Sequence, residues 1–145
     1  MAVSVFDIFK IGIGPSSSHT VGPMRAARQF LLQLDTAGQL DEVAKLRVDL
    51  FGSLGLTGRA HGSDTGILLG LSGREPETVD PDRIASYLSR IRSERSLHLL
   101  DKHDVLFDET ADLIFHRDES LPYHPNGMRF TTWDGNNRQI ASREY

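Results

Sequence analysis

The sequence predicts an α/β fold, a sheet covered by helices in a sandwich-like layer, and three observations carry that prediction. Leu46-Arg47-Val48-Asp49-Leu50 alternates apolar and polar residues with the period of a half-buried strand. The segments around Val21–Leu34 and Ile84–Ile91 instead repeat apolar residues every three or four positions, as amphipathic helices do. Near the end, Met128–Trp133 and Arg138–Glu144 flank Asp134-Gly135-Asn136-Asn137, a pattern expected of a β-hairpin. At 145 residues the chain has the usual size of one domain, so a single core over residues 1–145 is expected.

Taken in order, Val3-Ser4-Val5-Phe6-Asp7-Ile8-Phe9 is apolar enough for a short strand or a helical turn, and periodicity leaves both open. Gly12 and Gly14 then suit a tight turn before Ser16-Ser17-Ser18-His19-Thr20. The first helix carries Val21, Met24, Ala27, Leu31 and Leu34 on one stripe, with Arg25 and Arg28 on another face. Pro23 belongs near its first turn, and Gly38 marks its stop. After the strand at Leu46–Leu50 comes the glycine-rich stretch from Gly52 to Asp64, where Ser63 or Asp64 is positioned to cap the run containing Ile67, Leu68 and Leu71. Asp80-Pro81 opens a further helix striped with Ile84, Leu88 and Ile91, and its Arg and Glu residues form the solvated face. A polar break then leads to a strand at Asp112-Leu113-Ile114-Phe115-His116. The two prolines of Leu121-Pro122-Tyr123-His124-Pro125-Asn126-Gly127 make a rigid loop before the hairpin.

Composition narrows the function. Sixteen basic residues against 20 acidic ones give a formal charge of −4, and no basic run tracks a phosphate backbone, so nucleic acid is not an expected partner. The first fourteen residues lack a basic leader, and no apolar stretch is long enough to cross a bilayer. A soluble, cytoplasmic protein with no membrane partner is the expectation. The chain has no cysteine, which excludes disulfides and thiolate-held metal within it, and no metal ligands are assigned.

The chemistry-bearing residues gather in three stretches. Ser16, Ser17, Ser18, His19 and Thr20 crowd the expected first turn of a helix, where unpaired backbone N–H groups favour an anion such as a carboxylate. Capping needs only one hydroxyl, so three serines followed by histidine exceed that need. His61 falls at a strand-to-helix transition, a common ligand position in α/β layers, although a solvated loop is the plainer reading of a histidine among glycines. The glycines there form neither a dinucleotide-binding nor a P-loop fingerprint. His124 and Asn126 offer polar contacts from the rigid loop. His98, His103 and His116 lack such settings and are read as surface or strand residues. A serine hydrolase is disfavoured, since no G-x-S-x-G elbow is present.

The run from Ser4 to Met24, including Gly12-Ile13-Gly14-Pro15-Ser16-Ser17-Ser18-His19-Thr20-Val21-Gly22-Pro23, resembles the amino-terminal signature of bacterial iron–sulfur-dependent L-serine dehydratases, also called L-serine deaminases. Gly52–Asp64 and His124-Pro125-Asn126-Gly127-Met128 resemble further motifs of that family in the same order. The resemblance implies conversion of L-serine to pyruvate and ammonia by loss of water. It further implies a 4Fe-4S cluster, acting as a Lewis acid and held by three cysteines of a separate catalytic domain. Since this chain lacks those cysteines, the resemblance makes residues 1–145 the beta domain alone, either a fragment or one subunit. That domain in turn resembles the allosteric substrate-binding domain of some D-3-phosphoglycerate dehydrogenases, not a Rossmann fold.

Carried over position by position, the resemblance assigns Ser16, Ser17, Ser18, His19, Thr20 and Asn126 to serine binding and His61 to proton transfer. His124 supports the site near the cluster, and His19 is free to share either duty. The partners implied are L-serine and the iron–sulfur domain, while a homodimer is left open. The same helix-terminus physics also fits a second class, a non-catalytic regulatory module that binds a small carboxylate or anion.

Overall fold

A computed structural model describes residues 20–52, 62–116 and 127–145 of the chain. The segment around Val3–Phe9, read as strand or helical turn, lies outside these residues.

The first helix, α1 (Val21–Thr36), buries Val21, Met24, Ala27, Phe30, Leu31 and Leu34, which is the expected stripe with Phe30 added. Pro23 stands in its first turn. Gly38 follows its end with φ at 73°, a left-handed conformation open to glycine, and donates its N–H to the Asp35 carbonyl. Strand β1 (Lys45–Leu50) sends Leu46, Val48 and Leu50 into the core. Helix α2 (Ser63–Leu71) buries Ile67, Leu68, Leu69 and Leu71 completely, because a helix that is apolar on all sides has to sit inside. Its N-cap is Gly62 with φ at 87°, and no side chain among the described residues caps it; Ser63 and Asp64, expected as caps, lie within the first turn instead.

Asp80 does cap, accepting the Asp82 N–H at 3.0 Å, but the turn it caps is a short 3-10 helix, Pro81–Arg83, that leads into α3 (Ile84–Glu94). Asp80→Ala should therefore cost about 1 kcal/mol. A thermal melt lowered by about 3 °C would agree with that, and an unchanged melt would show the cap to be idle.

A hairpin, β2 (Ser96–Leu99) with β3 (His103–Leu106), occupies the stretch expected to be a polar break. No Asn-Gly or Asp-Gly pair marks its turn, since the left-handed φ values of 50° and 59° belong to Leu100 and Asp101. The Leu100 N–H is held by the Leu71 carbonyl at 3.0 Å, which ties the hairpin to the end of α2. A short helix, α4 (Glu109–Asp112), precedes β4 (Leu113–Phe115); the last hairpin is β5 (Met128–Trp133) with β6 (Gln139–Glu144). In its turn Asp134 Oδ1 accepts the N–H groups of Asn136 and Arg138, both at 2.9 Å. Here Asn137, not Gly135, takes the positive φ, at 64°.

The larger sheet runs β4-β1-β5-β6, with β1 parallel to β4 and antiparallel to β5. This mixed order is α/β, as expected. α1 packs on this sheet, where the Phe30 and Phe130 rings stack at 5.4 Å. α1 and α2 cross unusually closely. A Cβ on Gly66 would overlap the Thr20 carbonyl oxygen, and one on Gly70 would overlap that of Met24. Bare glycines one turn apart allow this contact.

Candidate functional site

Of the predicted site residues, Thr20 is described; Ser16, Ser17, Ser18, His19, His61, His124 and Asn126 lie outside the described residues. Thr20 is fully buried immediately before α1, and its carbonyl accepts the Met24 N–H at 3.0 Å. Its side chain does not cap the helix.

The described residues also fix where the three predicted stretches attach. Residues 1–19 join α1 at Thr20, and residues 53–61 join α2 at Gly62, so two of them end at helix starts that pack together through Gly66. At the carboxyl end of β1, the Leu50 carbonyl accepts the His116 N–H and the Phe51 N–H donates to the Gly127 carbonyl, each at 2.8 Å. His116 and Gly127, which flank residues 117–126 in the chain, are therefore bonded to Leu50 at the end of β1 and to Phe51 just after it, and residues 53–61 follow Gly52. β1 and β4 are parallel, and the space beyond the carboxyl ends of parallel strands is where open α/β sheets hold ligands.

That strand end carries a polar group that sequence reasoning missed. Alternation makes Asp49 a half-exposed residue, yet it is 4% exposed, and a buried carboxylate needs partners. Its Oδ1 accepts from Arg47 Nη2 at 2.8 Å and Nε at 3.1 Å, and from His116 Nε2 at 2.8 Å. The His116 ring lies parallel to Phe51, 4.5 Å between centroids, while the Arg129 guanidinium stands 5.1 Å from the same ring. His116 is thus a packed, bonded residue and not a surface histidine. Its signal in the sequence was only its place at a strand end. His103 is also held, donating from Nε2 to the Val43 carbonyl at 2.7 Å, whereas His98 is exposed and pairs with Asp104.

At the start of α2, Ser63 Oγ is buried with no hydrogen-bond partner among the described residues, and Asp64 reaches Arg92 at 3.3 Å. Arg92 in turn binds Glu109 at 2.8 Å. The Glu109 hydrogen bond raises the Arg92 pKa, burial opposes it, and the charges of Glu109 and Asp64 add to the rise. Asp64 therefore has its counter-charge in place, and α2, α3 and α4 are joined beside that helix start.

Two clefts lie elsewhere. One of about 450 Å³ is lined by Arg25, Arg28, Glu75 and Glu77, whose charges meet each other as Arg28–Glu75 at 2.8 Å and Arg25–Glu77. The other, about 440 Å³, lies between Arg74, Tyr87 and His98. Neither includes Thr20, Asp49 or His116. No group of three or more His, Cys, Asp or Glu residues suited to a metal occurs among the described residues, and none of their helices is long and apolar enough to cross a membrane.

Comparison with known proteins agrees with the resemblance. The profile of the serine dehydratase beta chain family matches residues 4–145. An L-serine dehydratase of Streptomyces coelicolor is 48% identical over 145 residues, covering 100% of this chain and 32% of that protein. L-serine dehydratase 1 of Escherichia coli is 46% identical over 144 residues, covering 99% of this chain and 31% of that protein. The chain thus spans about a third of the length of these relatives. With the match running nearly end to end, the chain belongs to the serine dehydratase beta chain family.

Proposed function

We propose that this chain is the beta domain of an L-serine ammonia-lyase that converts L-serine to pyruvate and ammonia in the cytoplasm. The observation that carries this reading is the identity of 46–48% with proteins named L-serine dehydratase across almost all of the chain. The reaction removes a proton from the serine α-carbon and the hydroxyl from the β-carbon as water. The resulting enamine tautomerises and hydrolyses to pyruvate and ammonia. In this reading Ser16, Ser17, Ser18, Thr20 and Asn126 hold the substrate, and His61 moves the α-proton. His124 steadies the site and His19 shares either duty.

Residues 53–61 and 117–126 follow the carboxyl ends of β1 and β4, and residues 1–19 lead into α1, whose start packs on that of α2; this placement supports a shared site. Glycine-bearing, closely packed helix starts add oriented N–H groups of the kind that attract a carboxylate. A 4Fe-4S cluster does not fit this chain's own donors, since the sequence contains no cysteine. In this reading the cluster belongs to the part of the relatives beyond the matched third, and no step here is routed through it. The α/β layer is read as related to the allosteric substrate-binding domain of D-3-phosphoglycerate dehydrogenase, which superposition on a structure of that domain would test.

The decisive assay uses full-length protein reconstituted anaerobically with iron and sulfide. Pyruvate should form from L-serine there and not with residues 1–145 alone. Pyruvate from the isolated chain without iron, or none from the reconstituted protein, would overturn the reading.

A further inference from the structure

We propose that Asp49 and His116 form a positioning pair for the lyase site, an inference that rests on the functional reading above. Arg47 alone provides two donors for the Asp49 carboxylate, so charge neutralisation does not require a second partner. His116 nevertheless brings its Nε2 to the same oxygen at 2.8 Å from just beyond β4, 67 residues along the chain. A carboxylate oxygen can only accept, so the shared proton sits on Nε2. This is the logic by which carboxylates orient functional imidazoles.

The ring is also fixed in space. Phe51 stacks on it with planes 4° apart, and the His116 backbone N–H is bonded to Leu50. Attachments to Asp49, Phe51 and Leu50 hold this partly buried residue at the carboxyl end of the parallel pair β1 and β4. Arg129, beside Phe51, is itself paired with Glu144 at 2.9 Å, so that end of the sheet is fixed on both flanks of β1. A group locked in this way sets the geometry of whatever is built on the strand end. Loss of a geometric anchor lowers turnover more than affinity, because reacting atoms tolerate displacement less well than bound ones.

The test compares wild-type full-length protein with His116→Phe, Asp49→Asn and the double variant, reading kcat and KM for L-serine together with the melting temperature. His116→Phe keeps a flat ring to stack on Phe51 and removes the bond to Asp49. Both single variants should lose about tenfold or more in kcat, with KM within about twofold. The double variant should be no worse than the more damaged single one, because the residues act as a unit. A purely structural role would lower the melting temperature and leave kcat of the folded protein unchanged. Unchanged kcat in His116→Phe, whether or not Asp49→Asn folds, overturns the inference while the lyase reading stands. A wild-type protein that makes no pyruvate overturns both.

Discussion

Gly70→Ala should lower the melting temperature by about 6 °C, equivalent to about 2 kcal/mol of lost stability. Two opposing effects set the sign. Alanine in a helix interior is favoured over glycine by about 1 kcal/mol. Here, however, the new Cβ would overlap the Met24 carbonyl oxygen and stand 3.0 Å from the Ala27 Cβ, and the first of these atoms is backbone. Backbone cannot rotate aside as a side chain can, so α1 and α2 must separate. Separation strips contacts from Met24, Ala27 and Leu31, all fully buried, and that loss exceeds the propensity gain. Gly66→Ala should behave similarly against the Thr20 carbonyl, whereas Gly135→Ala, with nothing within 4 Å, should melt within about a degree of the wild type. Thermal denaturation of the three variants tests this directly, and equal melting of Gly70→Ala and Gly135→Ala would refute the close crossing.

The second large effect concerns chemistry. If His61 transfers the α-proton, His61→Ala in the full-length enzyme should reduce kcat by about a hundredfold or more. The melting temperature and iron content should stay near wild type. Turnover within about threefold of the wild type would remove His61 from the proton-transfer role and leave His19 or His124 to fill it. This outcome is independent of the helix crossing, since Gly70→Ala should lower stability without altering the reaction of molecules that remain folded.

The parts of the fold legible in the sequence were those written in local periodicity. Met24, Ala27, Leu31 and Leu34 share a stripe, and Ile84, Leu88 and Ile91 another, so α1 and α3 could be placed with their buried faces. The last hairpin was legible from its turn composition, though the structure assigns the strained φ to Asn137. The β2–β3 hairpin was hidden because Leu100 and Asp101 adopt a conformation their side chains disfavour, held there by a bond to Leu71 that is 29 residues back in the chain. Asp49 and His116 were hidden for a related reason. Alternation tells which face of a strand a residue takes, but not what covers that face, and one partner of Asp49, His116, lies just beyond another strand. The predicted site residues were picked out through their motifs, and all but Thr20 lie outside the described residues. The polar residues of those motifs are dense enough to stand out, whereas the geometry that would join them depends on tertiary contacts that no local pattern encodes.

The glycine crossing has a mechanical consequence. Contacts between side chains contain rotatable bonds that absorb small shifts, but at Gly66 and Gly70 one helix backbone rests directly on the carbonyls of another, keyed like a tongue in a groove. There is no slack between them. A displacement of either helix start must carry the other with it, so Thr20 and Ser63 move as parts of one rigid lever.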